Sequence, residues 1–397
     1  MSKPKLTFIV DHLNLALAGT ENQLFKMFPG LVDHFEVEVI CFRYEGDWLE
    51  TQGKRIGFKV RHFEIRDFKR PLAYKNLWRL RAHLKQSAPD VVHTFFPVSN
   101  IVGVLAAKLA GVPAIVASRR DFGEWMSPRY LTATKIANRA ADWIVTNSTQ
   151  VKKLTERVES YPADRIEVIF NGIDLSGMKI PPVRDEMRRE LGIPAGDTVC
   201  VLVGNYRPMK RHQTLVEAVA LINKRLPDVS FLLVGGDYTP GEPLKTAVKQ
   251  RAAELGIESR IFYAHAKGDV QKFLAAADIG VNCSQGEGIS NAIMEYMTAR
   301  LPCVIADSGG NPDLVEHEVT GLLFELDNPA AMAANVERMI GDKALQERVT
   351  ARAYENVSTR MTIPGMIEHF RQFYTKIGPR KADESSPSKD KAKSKAA

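Results

Sequence analysis

Apolar and polar positions along the chain repeat one pattern twice. Short runs of β-branched and large apolar residues, bounded by Gly, Pro, Asp or Asn, alternate with longer stretches of helical period. The first half opens on the run at 6–10 (Leu-Thr-Phe-Ile-Val), which leads through a loop to Gly19-Thr20-Glu21 and a helix. The second half opens on 199–204 (Val-Cys-Val-Leu-Val-Gly), followed by a loop at 205–210 and a helix from about Gln213. Further strands are expected at 36–42, 91–95, 114–117, 143–146 and 166–170, then at 230–234, 261–263, 278–283 and 303–306. Strands that alternate with helices predict parallel sheets, because a parallel neighbour is reached only through a long crossover.

The expectation is therefore an α/β protein of two Rossmann-like, doubly wound domains, 1–175 and 198–360. Residues 176–197, rich in Pro, Gly and charge, read as the linker, and a helix at 361–377 closes the fold. The tail 378–397 is Lys, Ser, Asp and Ala without apolar period, and predicts disorder.

A length of 397 residues agrees with two or three domains at about 150 residues each. Hydrophobic and charged fractions of 45% and 25% are those of ordinary soluble globular proteins. Cys41, Cys200, Cys283 and Cys303 are far apart and form no Cys-x-x-Cys pair, so buried reduced thiols in a cytoplasmic protein are expected. The first residues lead straight into a strand, which predicts no secretory leader. The most apolar window, 101–117, is interrupted by Lys108, Gly111 and Pro113 and reads as helix, turn and strand rather than a membrane span.

Charge changes the picture more. The formal net charge is +7, yet residues 51–140 hold 17 Lys and Arg against 5 Asp and Glu. A basic first half implies an anionic partner: nucleic acid, an anionic membrane face, or a phosphorylated acceptor. No module with aromatic and basic residues interleaved supports nucleic acid. A helix expected at 72–86 sets Leu77, Trp78, Leu80 and Leu84 beside Lys75, Arg79, Arg81 and Lys85, which suits peripheral docking on the inner face of a membrane. The alternative is that these leucines pack on the sheet and the basic face is merely solvated.

The densest chemistry lies in Glu287-Gly288-Ile289-Ser290-Asn291-Ala292-Ile293-Met294-Glu295, between the strand run at 278–283 and the one at 303–306. Polar residues gathered at strand C-terminal ends are where open α/β sheets bind ligands. If the stretch is helical, the two carboxylates stand ~12 Å apart, suited to the two ends of one elongated ligand and wider than the carboxylate pair of a glycoside hydrolase needs.

In this setting the chain, from residue 6 to about 375, resembles the retaining glycosyltransferases of family 4, whose hallmark is Glu, seven residues, Glu. The resemblance implies the GT-B fold, two Rossmann-like domains facing a central cleft. It implies a nucleotide-diphosphate sugar as co-substrate with no other cofactor, and a saccharide or polyprenyl-linked acceptor of bacterial polysaccharide or glycolipid synthesis. It places Glu287 at the donor sugar and Glu295 at the ribose. The amides of Gly288, Ile289, Ser290 and Asn291 would face the diphosphate, a natural anion site at a helix start. No acid pair such as Asp-x-Asp stands in a suitable loop, so no metal is expected.

In the loop after the second domain's first strand the family carries Gly-Arg and, five residues after the Arg, Lys. Here Asn205 takes the Arg position, Lys210 matches, Arg207 is expected to substitute, and Arg211 is the weaker candidate. Ala18-Gly19-Thr20-Glu21 is similar to the family's Gly-Gly-x-Glu turn, where Gly19 would let backbone approach a phosphate or sugar; a plain helix-start turn explains it equally. Without Gly-x-Gly-x-x-Gly, NAD binding is not indicated.

On the acceptor side Ser118-Arg119-Arg120-Asp121 stands where the family often has a His, and Arg119 and Arg120 suit a phosphate. His93 matches a common family His, and a satisfied structural histidine explains it as well. Two alternatives remain at this level. One is a nucleotide-sugar epimerase of the same architecture, separated by whether nucleotide release requires an acceptor. The other is a non-catalytic membrane- or RNA-binding relative, against which the joint presence of Lys210, Glu287 and Glu295 speaks.

Overall fold

In the computed structural model, residues 2–13, 19–43, 46–65, 71–123, 126–265 and 269–378 are described. The expected tail disorder, Ala18 of the Gly19 turn, and residues 266–268 of the loop before Asp269 lie outside them.

The first domain's strands are β1 (Lys5–Val10), β2 (Glu36–Cys41), β3 (Lys59–His62), β4 (Val91–Phe95), β5 (Ala114–Arg119), β6 (Trp143–Thr146) and β7 (Ile166–Val168). All pair in parallel, in the order β3-β2-β1-β4-β5-β6-β7. The second domain has β8 (Thr198–Val203), β9 (Val229–Val234), β10 (Ile261–Ala264), β11 (Ile279–Asn282), β12 (Cys303–Asp307) and β13 (Leu322–Glu325). These are parallel too, in the order β10-β9-β8-β11-β12-β13. Helices cover both faces, so β4 and β9 are buried along their whole length, as near-continuous apolar runs require.

Two strands were not expected from the sequence. β3 reads Lys-Val-Arg-His at the sheet edge, where one apolar residue suffices. β13 is four residues long and also closes an edge. All four cysteines are buried thiols, with burial pushing those of Cys283 and Cys303 up to about 12.

Chain order reverses between β1 and β4 in the first sheet and between β8 and β11 in the second. At such a switch point adjacent loops diverge and leave a crevice beyond the strands' C-terminal ends. The two crevices face each other, bridged by an isolated antiparallel pair between Asp121 and Glu287.

The segment 176–197 contains a helix, Arg184–Leu191; its Met187, with Ile193, is buried in the second domain's core. The last helix, Ile363–Ile377, returns to the first domain and buries Met366, Phe370, Phe373 and Tyr374 in that core. A parallel bridge between Ile173 and Thr362 lays the outgoing and returning chains side by side.

Candidate active site

A cavity of about 1010 Å³ fills the cleft between the two crevices. From the second domain, the loop after β8 contributes Asn205, Arg207 and Lys210, and the loop after β11 contributes Glu287 to Asn291. Lys210 belongs to a single 3-10 turn, Pro208–Lys210, and its ammonium forms an ion pair with Glu287 Oε1; both side chains are largely buried. Glu287 Oε2 has no hydrogen-bond partner. The helix itself starts only at Asn291 and runs to Thr298. Helical rise therefore does not govern Glu287, which the bridge to Asp121 holds in an extended loop.

Ser290 precedes the helix without a side-chain cap, so the first-turn N–H groups are open to the cavity that Ser290 and Asn291 line. Glu295, one turn on, also lines it; burial pushes its carboxyl up to about 7, opposed by the charges of Lys26 and Lys210.

The first domain closes over this wall. Asn291 Oδ1 accepts from Gln23 Nε2 (3.2 Å) and from Asn171 Nδ2 (3.1 Å), while Gln23 Oε1 takes the Gly172 N–H (3.0 Å). Gly19 lies so near that a Cβ there would stand 2.8 Å from Asn291 Nδ2. Across the back of the cleft, the Thr149 N–H and hydroxyl both bond to the Asp313 carboxylate. Arg120 lines the cavity, bonded to Asn171 Oδ1, its guanidinium 6.0 Å from the Phe95 ring; burial lowers its pKa to about 10, which leaves it charged at neutral pH.

Two family models match the chain: Glycosyl transferases group 1 over residues 183–356, and Glycosyltransferase Family 4 over residues 17–176. The chain belongs to the group 1/family 4 glycosyltransferases. The UDP-Gal:alpha-D-GlcNAc-diphosphoundecaprenol alpha-1,3-galactosyltransferase of Escherichia coli is 26% identical, over 85% of this chain and 89% of that one. A D-inositol 3-phosphate glycosyltransferase of Salinispora arenicola is 25% identical, over 77% and 74%. The crystal structure of HepE from Anabaena in complex with UDP superposes with a TM-score of 0.82 at 22% identity, over 94% of this chain and all of that one. WaaG, from lipopolysaccharide biosynthesis, gives 0.70 at 16%, over 93% and 99%. These likenesses show the GT-B fold.

The cavity of this glycosyltransferase brings together Lys210, Arg207, Asn205, Glu287 to Asn291, Glu295, Gly19, Arg119 and Arg120. Two expected residues are placed elsewhere. His93 is wholly buried on β4, Nδ1 against the Tyr374 hydroxyl (2.7 Å) and Nε2 against Ser118 Oγ (2.8 Å). Burial and Arg120 depress its pKa well below the usual histidine range, so it is a neutral link to the returning helix. Arg211 adopts left-handed backbone (φ 50°) and turns to Gln285 and Asp327, away from the cavity.

Arg119 reaches the cavity only as one member of a buried network. It grips both Glu159 oxygens (2.7 and 2.9 Å), Asn138 and the Ser118 carbonyl, which commits it to holding the helix Thr149–Glu159 rather than to a phosphate. Lys26, Gln23 and His12 were not anticipated; they are scattered polar residues that only the closed cleft collects. Among the described residues no three His, Cys, Asp or Glu side chains assemble as a metal site, and no helix is long and apolar enough to cross a membrane.

Proposed function

We propose that this glycosyltransferase takes its sugar from a uridine diphosphate sugar and passes it, with retention at the anomeric carbon, to a saccharide or lipid-linked acceptor. The observation that carries the reading is the grouping of Lys210, Glu287, the open helix start at Ser290-Asn291 and Glu295 on one wall of a closed cleft. The E. coli relative, named for a UDP-Gal donor and a diphosphoundecaprenol-linked acceptor, supports it. So does the HepE fold neighbour, solved with UDP and with UDP-glucose.

In the reaction the bond from the sugar's anomeric carbon to the diphosphate breaks and a bond to the acceptor oxygen forms. The acceptor's hydroxyl proton passes to the departing diphosphate. Negative charge grows on that diphosphate, and fixed donors aimed at it are worth most in the transition state. Lys210, Arg207 and the first-turn amides supply them without a metal. Glu287 orients the sugar so that the acceptor enters on the face the leaving group vacates, with no covalent enzyme intermediate. Glu295 accepts the ribose hydroxyls.

Attachment to an anionic membrane face would run through the helix Pro71–Ser87. There Trp78 is 58% exposed with the Arg81 guanidinium 5.5 Å from its ring, and Lys75, Arg79 and Lys85 are exposed beside it.

The deciding experiment is release of UDP from a panel of UDP-sugars by the purified protein, with and without saccharide acceptors, in buffer containing EDTA. Turnover that rises with acceptor, persists in EDTA and falls at least 100-fold in Lys210→Ala is expected. Product equilibrating at the sugar without UDP release would favour the epimerase; activity restored only by divalent metal would refute the metal-free mechanism.

A further inference from the structure

We propose that Glu21, aligned by His12, forms an acceptor subsite in the first domain that receives hydroxyl donors of a polyhydroxylated ring. It rests on the glycosyl-transfer reading above and names the end of the acceptor that this wall recognises.

Glu21 lies in the first turn of the helix Gly19–Val32 and lines the cavity, yet the residue has no exposed surface. Neither carboxylate oxygen accepts a hydrogen bond; His12 Nε2 stands 3.3 Å from Oε1, and the buried Arg120 guanidinium is near enough to interact with it electrostatically. Withdrawing a carboxylate from water is unfavourable unless partners replace the water. Its neighbour Asp11 shows how this molecule treats a structural carboxylate. Asp11 is equally buried, but takes the backbone N–H of Val98 (2.9 Å) and of Ser99 (2.6 Å), fixing the start of the helix Pro97–Ala110. Glu21 has no such duty.

Its surroundings are arranged rather than accidental. His12 follows β1 and Phe96 follows β4, so the pair sits at the switch point of the first sheet, as the Lys210 and Glu287 loops sit at that of the second. The imidazole stacks on Phe96 with centroids 4.7 Å apart, which fixes the ring and points Nε2 at Glu21. The contact with Glu21 raises the His12 pKa, and His12 Nδ1 has no partner.

A carboxylate offers acceptors only. Anionic groups are excluded from its face, and adjacent ring hydroxyls, each a donor, fit its two oxygens. The diphosphate belongs to the opposite wall, so the group met here is the incoming acceptor.

The test uses the full chain loaded with UDP, probed by saturation-transfer NMR with methyl α-D-glucopyranoside and methyl α-D-galactopyranoside. At least one glycoside should bind the wild type and lose at least ten-fold in affinity in Glu21→Gln, with the UDP Kd unchanged. Because neither carboxylate oxygen accepts a hydrogen bond and the amide carbonyl of a glutamine can still face His12, Glu21→Gln should also keep the thermal midpoint, which a structural role would lower. Equal glycoside binding by both proteins, or a lower midpoint with glycoside binding intact, overturns the proposal. Failure of the wild type to bind UDP would overturn the donor reading instead; the glycoside comparison is then made without nucleotide and decides this proposal by itself.

Discussion

Glu295 lies at the foot of the cavity, where burial holds its carboxyl at about 7 against an ordinary 4.5. The folded state therefore binds this proton more tightly than the unfolded chain. The resulting cost to stability is absent below pH ~4.5, grows as pH rises, and is complete above ~7. Glu295→Gln carries no such cost. Thermal melts should show the variant close to wild type at pH ~4.5 and increasingly more stable than wild type towards pH ~8; a difference that stays flat would mean the carboxyl titrates normally. At this scale the sequence was most legible where residues share one short loop or helix start. Lys210 and the Glu287–Glu295 stretch reach the cavity because their strands end there. His93 and Arg211 stand off the cavity because the side a residue faces depends on packing: His93 turns to the returning helix, as its reading as a satisfied structural histidine had it, and left-handed backbone swings Arg211, the weaker phosphate candidate, away.

Two elements carry their own tests. The loop at Gly288 is pressed against the first domain, and a Cβ there would overlap the Arg120 carbonyl and Asn147 Oδ1, both across the cleft. Gly288→Ala should leave the second domain's fold intact and hold the cleft ajar. Small-angle scattering should report a larger radius of gyration with nearly unchanged circular dichroism; an unchanged radius would show that the loop yields. The basic helix Pro71–Ser87 shows a complementary case. Leu80 and Leu84 are buried in the core with Leu77 against it, as the alternative reading had it, while Trp78 stays exposed. Polybasic attraction is worth about 1 kcal/mol per residue near an anionic surface. Co-sedimentation with phosphatidylglycerol vesicles should weaken with salt and fall sharply in Trp78→Ala/Arg79→Glu/Lys85→Glu; equal partition onto neutral vesicles would refute membrane docking. Arg81 is left in place because its Nε holds the Leu109 carbonyl (3.0 Å).

Across the molecule, the chain's end closes the first domain, with the Tyr374 hydroxyl reaching the buried His93 imidazole (2.7 Å). Tyr374→Phe would strand that nitrogen without a partner, at about 1–3 kcal/mol. The thermal midpoint should drop by several degrees while UDP affinity holds; an unchanged midpoint would mean the contact contributes nothing. The alternation of apolar runs and helical stretches determined the two parallel sheets, because strand burial on both faces and crossover length are properties of local sequence. The Glu-seven-Glu stretch determined one wall of the cleft for the same reason, since its residues are neighbours in the chain. The sequence also pointed to Gly19, Arg119 and Arg120 on the opposite wall, but tertiary structure alone decided how that wall meets the first. Gln23, Asn171 and Glu21 meet that loop, or the cavity beside it, only because two sheets switch direction and close on each other. No period or spacing encodes a contact between residues hundreds of positions apart.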